Sequence, residues 1–177
     1  MINMDIGKAI DGRFSCREFK NKKISEKDIN KILEAGIKAP NAGNLQCWKF
    51  VIVNKEEIKG LITKAALDQR WMMQAPVFIV VCSDLKKLKT YYPGKYKLYA
   101  IQDTSLAAEN IMLMAHSLRI GSCFVGAFDE KAVKRILRLP DGVEAYAIIS
   151  LGYPDAKKST KRNSLNYSLS VNKYGES

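Results

Sequence analysis

The sequence predicts an α+β fold, a sheet flanked by helices, from three observations. Segments 48–54, 77–83 and 144–151 carry the β-branched and apolar runs of strands. These three strands do not alternate one for one with helical segments, as a doubly wound sheet requires. Residues 102–119, QDTSLAAENIMLMAHSLR, are apolar on nearly every side, the pattern of a helix enclosed by the rest of the chain.

That helix is the expected centre of the core. Seven large side chains between Leu106 and Ile120 give a gross stabilisation of roughly 10–20 kcal/mol, at about 1.5–3 kcal/mol for each one buried, before chain entropy is subtracted. Asp103, Thr104 and Ser105 are the expected caps, with Asp103 at the positive end of the helix dipole, and Gly121 is the stop.

Taken in order, Ile6, Ala9, Ile10 and Phe14 fall at helical spacing, so a short first helix is expected to end near Gly12. It hands over to RFSCREF, 13–19. If the helical turn continues, Arg13 and Arg17 share a face with Ser15 between them and can grip a phosphate; otherwise they are an ordinary exposed pair. Ser25 with Asp28 three residues on reads as a capping box, stapled by Ile24 and Ile29. Ile29, Ile32, Leu33, Gly36 and Ile37 make that helix's inner stripe, and Pro40 ends it.

The stretch APNAGNLQCWKF, 39–50, holds too many small and amide residues for a helix and reads as a tight loop leading into the first strand. Asn41, Asn44 and Gln46 give it amide groups suited to the edge of a flat heterocycle, although loops use Asn and Gly for conformational reasons as well. A helix over 55–67 is expected to turn Ile58, Leu61, Ile62 and Ala65 inward. Pro76 opens the continuous apolar run 77–83, which belongs in the middle of a sheet. Residues 84–100, polar and rich in tyrosine, read as a surface loop, with a flap over a ligand as the other reading. GSCFVGAF, 121–128, brings small residues close to their surroundings, Asp129 caps a further helix stapled by Phe128 and Val133, and 144–151 forms the third strand.

A length of 177 residues with 47% hydrophobic content suits one domain, 1–177, with 155–177 as a polar extension expected to drape over another surface. The apolar runs are too short for a membrane span, and the N-terminus lacks a hydrophobic signal segment, so the expected location is the cytoplasm. The formal charge of +11 is mostly lysine, scattered and without interleaved aromatics, which favours a solvated surface over a nucleic-acid groove. Cys16, Cys47, Cys82 and Cys123 form no CxxC pair and read as buried thiols. With His116 the only histidine, no zinc site is expected.

RFSCREF, APNAGNLQCWKF, the strand QAPVFIVVCS, the block QDTSLAAENIMLMAHSLRIGSCFVGAF and the closing SLGYP together resemble the nitroreductase family of FMN-dependent oxidoreductases. The resemblance runs over nearly the whole chain and holds in five separate blocks. It implies a central, mostly antiparallel sheet in an intertwined homodimer, with FMN at the subunit interface and 155–177 packed on the partner.

By the same resemblance Arg13, Phe14, Ser15 and Arg17 hold FMN, with Arg13 at the phosphate and Arg17 towards the polar edge of the ring. Pro40, Asn41, Asn44 and Gln46 line the flavin from the other subunit. Val125 and Gly126 supply a backbone amide facing flavin N5, and Arg162 is a late phosphate-binding arginine. The implied reaction passes hydride from NADH or NADPH to N5 and then to a nitroaromatic, quinone or similar small electron-poor acceptor, with no catalytic triad. Phe124 and the tyrosines of 91–99 shape the acceptor pocket. The chain departs from the family pattern at Cys47, where proline is common, at Phe124, where tryptophan is common, and at Trp71, where some relatives place a basic residue. The alternatives are a specialised flavoenzyme of the same fold, dehalogenating its substrate or consuming its own flavin, and a basic nucleic-acid-binding module.

Overall fold

Four strands form one antiparallel sheet in the order β1-β2-β4-β3: β1 Trp48–Val53, β2 Val77–Asp84, β3 Gly121–Val125 and β4 Val143–Gly152. The computed structural model describes residues 4–156 and 161–176. The expected sheet is therefore present, and β2 lies inside it, buried from Val77 through Ser83 because both its faces are covered. β3 was not expected as a strand. Its GSCFV run is short and rich in small residues, and pairing with β4 holds it extended.

Helices cover the sheet on both sides. On one face α2 (Glu26–Gly36) and α5 (Tyr96–Ser117) pack Ile29, Ile32, Ala108, Ile111 and Ala115 against Ile79, Val81 and Ile149. On the other, α3 (Glu56–Ala65) and α6 (Glu130–Ile136) bring Ile62 and Val133 onto Phe78, Val80 and Ile148. A bulge makes both layers fit. Val81 pairs with Ala147 and Cys82 with Ala145, so Tyr146 is the extra residue, and β4's alternation of faces switches there. Two short helices complete the main body, α1 (Ile6–Gly12), capped by Asp5, and α4 (Leu85–Tyr91), capped by Asp84.

Ser25 caps α2 as expected, although Asp28 closes the pair on the Ser25 hydroxyl rather than on its backbone N–H. The Ser25 hydroxyl accepts from the Asp28 amide at 3.1 Å and donates to the Asp28 carboxylate at 2.8 Å, with Ile24 and Ile29 both buried beside it. Asp129 caps α6 by accepting from the Ala132 amide at 3.0 Å. All four cysteines are buried and free, as expected, and burial raises each thiol's pKa, to about 12 for Cys82, which disfavours the thiolate form.

Three expectations are corrected. Residues 84–100 are not a loop: α4 and the first turn of α5 occupy them, and the Tyr92 and Tyr99 rings pack edge to face, 4.9 Å apart, at the corner between the two helices. Since α5 starts at Tyr96, Asp103 lies inside the helix and caps nothing. The inward face of α3 keeps Ile58, Ile62 and Ala65 against the core as expected, but not Leu61. Lys59, Ile62 and Thr63 are buried while Leu61 is half-exposed, because the Lys59 stem runs into the core and its ammonium donates to the Ala75 carbonyl at 2.8 Å and pairs with Glu56.

The central helix is less enclosed than its sequence suggests. Its 22 residues bury Ala100, Ala107, Ala108, Ile111, Met112 and Ala115, yet Leu98, Ile101 and Leu106 stand exposed along one stripe. Ile6 and Ile10 of α1, which packs on α5, are exposed too. Beyond β4, the short helix α7 (Leu165–Ser168) and its flanks expose Leu165, Tyr167, Leu169, Val171 and Tyr174. Residues 157–160 and 177 of the expected extension lie outside the described residues. Among the described residues, no helix is long and apolar enough to cross a membrane.

Candidate functional site

The segment after α1 is extended rather than helical. Ser15 forms a parallel bridge to Ser122 of β3, the Cys16 amide donates to the Ser122 carbonyl at 2.9 Å, and Phe19 bridges to Pro154 beyond β4. Arg13 and Arg17 are therefore placed together by the two-residue period of extended chain, not by a helical turn. Cys16 and Phe19 point into the core. Around the buried Cys123 thiol, the positive charges of Arg17 and Arg13 and a hydrogen bond with Ser15 converge, although burial still outweighs them and raises its pKa.

Each arginine has a support. Arg17 lies 5.6 Å above the Trp71 ring, a cation–π contact, and the Gln74 side chain accepts from the Phe19 amide at 3.2 Å. Arg13 faces Glu109 of α5 at 3.6 Å, a loose and partly exposed pair. β3 runs from this cluster to Val125, buried, and Gly126, exposed. Phe14 is partly buried against the core beneath them. Trp71 and Gln74 were invisible as supports in the sequence, since the contact joining Gln74 to Phe19 spans 55 residues.

His116 abuts Gly12, next to Arg13. Burial first, and the Arg13 charge second, hold its imidazole below the ordinary 6.5. As pH falls through about 6.5 the unfolded chain takes up a proton that the folded chain resists, so stability is lost with falling pH. Replacing His116 with Gln is expected to flatten the dependence of urea unfolding on pH between about 5 and 7. A slope identical to the parent's assigns that dependence to other groups.

The amide loop sits elsewhere. A single 3₁₀ turn, Ala42–Asn44, lies within it, and Gly43, Asn44 and Gln46 adopt φ of 56°, 52° and 53°. The Gln46 amide donates to the Asn41 side chain at 2.8 Å, closing the loop on itself. The Ala42 amide donates to the Asp103 carboxylate of α5 at 2.9 Å. Pro40 and Asn41 open onto a cavity of about 720 Å³ whose walls include Tyr92, Tyr99 and Leu106.

The structure does not bring these two groups together within one chain. The amide loop enters β1 at Trp48, and the sheet register carries Trp48 across Ser83 to Glu144 of β4. Ser122, beside Ser15, pairs with Leu151 at the other end of β4. The two groups thus occupy diagonal corners of the sheet, about 14 Å apart across three strand spacings and about 23 Å along the strands. Arg162 lies on the exposed C-terminal segment.

Residues 10–69 and 59–153 match the sequence profile of the nitroreductase family. The chain belongs to the nitroreductase family. A relative in Archaeoglobus fulgidus, whose provisional name pairs NADH dehydrogenase with NAD(P)H nitroreductase, is 38% identical over 155 residues, 85% of this chain and 86% of that protein. An FMN reductase [NAD(P)H] of Bacillus subtilis is 25% identical over 172 residues, covering 89% and 69% of the two chains. Among solved structures, nitroreductase A of Vibrio parahaemolyticus superposes with a TM-score of 0.89 at 25% identity, over 98% of this chain and 78% of that one. The antiparallel sheet with helices on both faces is thus the nitroreductase fold, as the sequence resemblance implied.

Proposed function

We propose that this nitroreductase-family chain is an NAD(P)H-dependent FMN oxidoreductase that works as a homodimer, each flavin site being built from the Arg13–Arg17 corner of one chain and the Pro40–Gln46 loop of the other. The observation that carries the shared site is the diagonal placement of the two groups, which one flavin ring cannot touch at once within a single chain. The exposed stripe of Leu98, Ile101 and Leu106 on α5, with Ile6 and Ile10 on α1, gives the second copy an apolar surface to cover. The exposed apolar side chains between Leu165 and Tyr174 suit a C-terminal extension, 155–177, that packs across the partner.

The donor set at the arginine corner fits FMN. Two guanidinium groups, one hydroxyl and a turn of exposed backbone at Gly126 match a phosphate and the polar edge of a flat heterocycle, and Glu109 only loosely neutralises Arg13. Arg13 and Ser15 hold the phosphate, with Arg162 as a further phosphate ligand, and Arg17, steadied by Trp71, sets positive charge at the ring's pyrimidine edge. Val125 and Gly126 direct a backbone N–H to the ring centre, where it orients the reacting position. Phe14 backs the segment from the core side. Pro40, Asn41, Asn44 and Gln46 of the other chain close over the ring and exclude water. When bound, FMN supplies the two-electron chemistry, taking hydride from NADH or NADPH and passing it to a nitroaromatic, quinone or similar electron-poor acceptor. Phe124, exposed beside Gly126, and the Tyr92 and Tyr99 rings give that acceptor flat surfaces to stack on.

The test is the visible spectrum of the purified protein, followed by anaerobic addition of NADH or NADPH. A flavin spectrum that bleaches supports the reading. A protein that takes up no FMN on incubation overturns it, and salt-sensitive binding of nucleic acid by such a protein favours the basic-surface alternative.

A further inference from the structure

We infer that Asp103 is a positioning residue for the flavin loop: its carboxylate, with the Tyr92 ring beside it, holds Asn41 to Gln46 in the conformation that receives FMN. The inference rests on the functional reading above. It begins from a carboxyl group that neither α5 nor the core explains. Asp103 lies inside the helix, is 3% exposed and forms no ion pair among the described residues. Aspartate is a poor helix-interior residue and a costly one to bury, so an apolar side chain would serve the helix and the core better. One carboxylate oxygen accepts from the Ala42 amide at 2.9 Å, and the other is buried without a hydrogen-bond partner.

The loop needs such a support. Two non-glycine residues, Asn44 and Gln46, sit in the left-handed region with Gly43 between their anchors, a backbone that relaxes unless its surroundings over-determine it. The Asn41 side chain bonded to the Gln46 amide fixes the loop's internal shape but not its placement. Placement comes from the corner between α4 and α5. There the Ala42 amide is tied to Asp103, and the Tyr92 hydroxyl lies so close to Gly43 that a Cβ there would stand 2.6 Å from it. Tyr92 is itself held edge to face by Tyr99. Asn41, Asp103, Tyr92 and Tyr99 border one cavity, so support and loop meet at the surface that the second chain and the flavin cover.

Two substitutions separate this role from a merely structural one. Asp103→Leu keeps the branched outline with somewhat larger ends, suits a buried helix and removes the acceptor; Asp103→Asn keeps both the size and a carbonyl oxygen for the Ala42 N–H. The readouts are FMN affinity by fluorescence titration, backbone amide exchange in the flavin-free protein, and thermal melting. Asp103→Leu is expected to weaken FMN binding about tenfold and to speed exchange at Ala42 and Gln46 by a similar factor, while β2 amides and the melting temperature stay at or above parental values. Asp103→Asn is expected to stay within about threefold of the parent in both. Three results overturn the inference: parental FMN affinity in Asp103→Leu, loss of protection spread evenly through the sheet, or an Asn variant as defective as the Leu variant. If the parent itself takes up no FMN, the functional reading fails, and amide exchange still decides whether Asp103 holds the loop.

Discussion

Replacing Arg13 with Ala is expected to weaken FMN binding by about 10- to 100-fold, since a hydrogen bond to a charged group contributes about 1.5–3 kcal/mol. The fold should tolerate the change. Arg13 lies outside α1 on extended chain, and its pair with Glu109 is long at 3.6 Å and partly exposed, so its loss costs the folded state little. Its removal also takes away one of the two causes that depress the His116 pKa, so His116 should titrate nearer its ordinary value in the variant. Fluorescence titration of the flavin-free protein, with melting as the control for folding, checks the expectation. An Arg13→Ala protein that binds FMN as the parent does removes Arg13 from the phosphate site.

Gly152→Ala is expected to destabilise the protein by about 1–3 kcal/mol, the range for inserting a methyl group into a well-packed core. A Cβ at Gly152 would stand 2.7 Å from a Phe19 ring carbon and 2.8 Å from Pro76 Cδ, and neither ring can swing aside in the core. Gly152 closes β4 where the Arg13-to-Phe19 segment crosses it, so the strain falls on the strap that carries Arg17. Weaker flavin binding should therefore accompany the lower urea midpoint. Gly60 is the contrast. Nothing lies within 4 Å of a Cβ there, and alanine in the middle of α3 should stabilise the protein by about 0.5–1 kcal/mol. Equal midpoints for the two variants would show that close packing at Gly152 has no energetic consequence.

Much of the fold was legible because local signals agreed with the tertiary outcome. The Ser25 and Asp28 pair, the apolar run of β2 and that of residues 144–151 each point one way. β3 was missed because small residues in GSCFV carry little strand preference of their own. Residues 84–100 were misread because their lysines and tyrosines suggested solvent, whereas Leu85, Leu88 and Ala100 are fully buried. The chemical character of the candidate site was readable in RFSCREF and the amide loop, but its geometry was not. That geometry depends on strand order, which places β3 at the far edge from β1, and no local pattern encodes strand order. Asp103 is the clearest case. A carboxyl that local rules place at a helix start instead reaches a loop 61 residues away.

The diagonal placement of the two half-sites has a consequence for inheritance. With each site shared between two chains as proposed, a cell making equal amounts of parental chain and a chain lacking only Arg13 keeps one complete site in every mixed pair, and about half of the total activity survives. A chain damaged at both Arg13 and the amide loop behaves differently. It spoils both sites of any pair it joins, so only the purely parental pairs, about a quarter of the total, remain active. Put on separate copies with no parental chain present, the same two lesions leave one good site in each mixed pair and none in the like pairs, again about a quarter of the total.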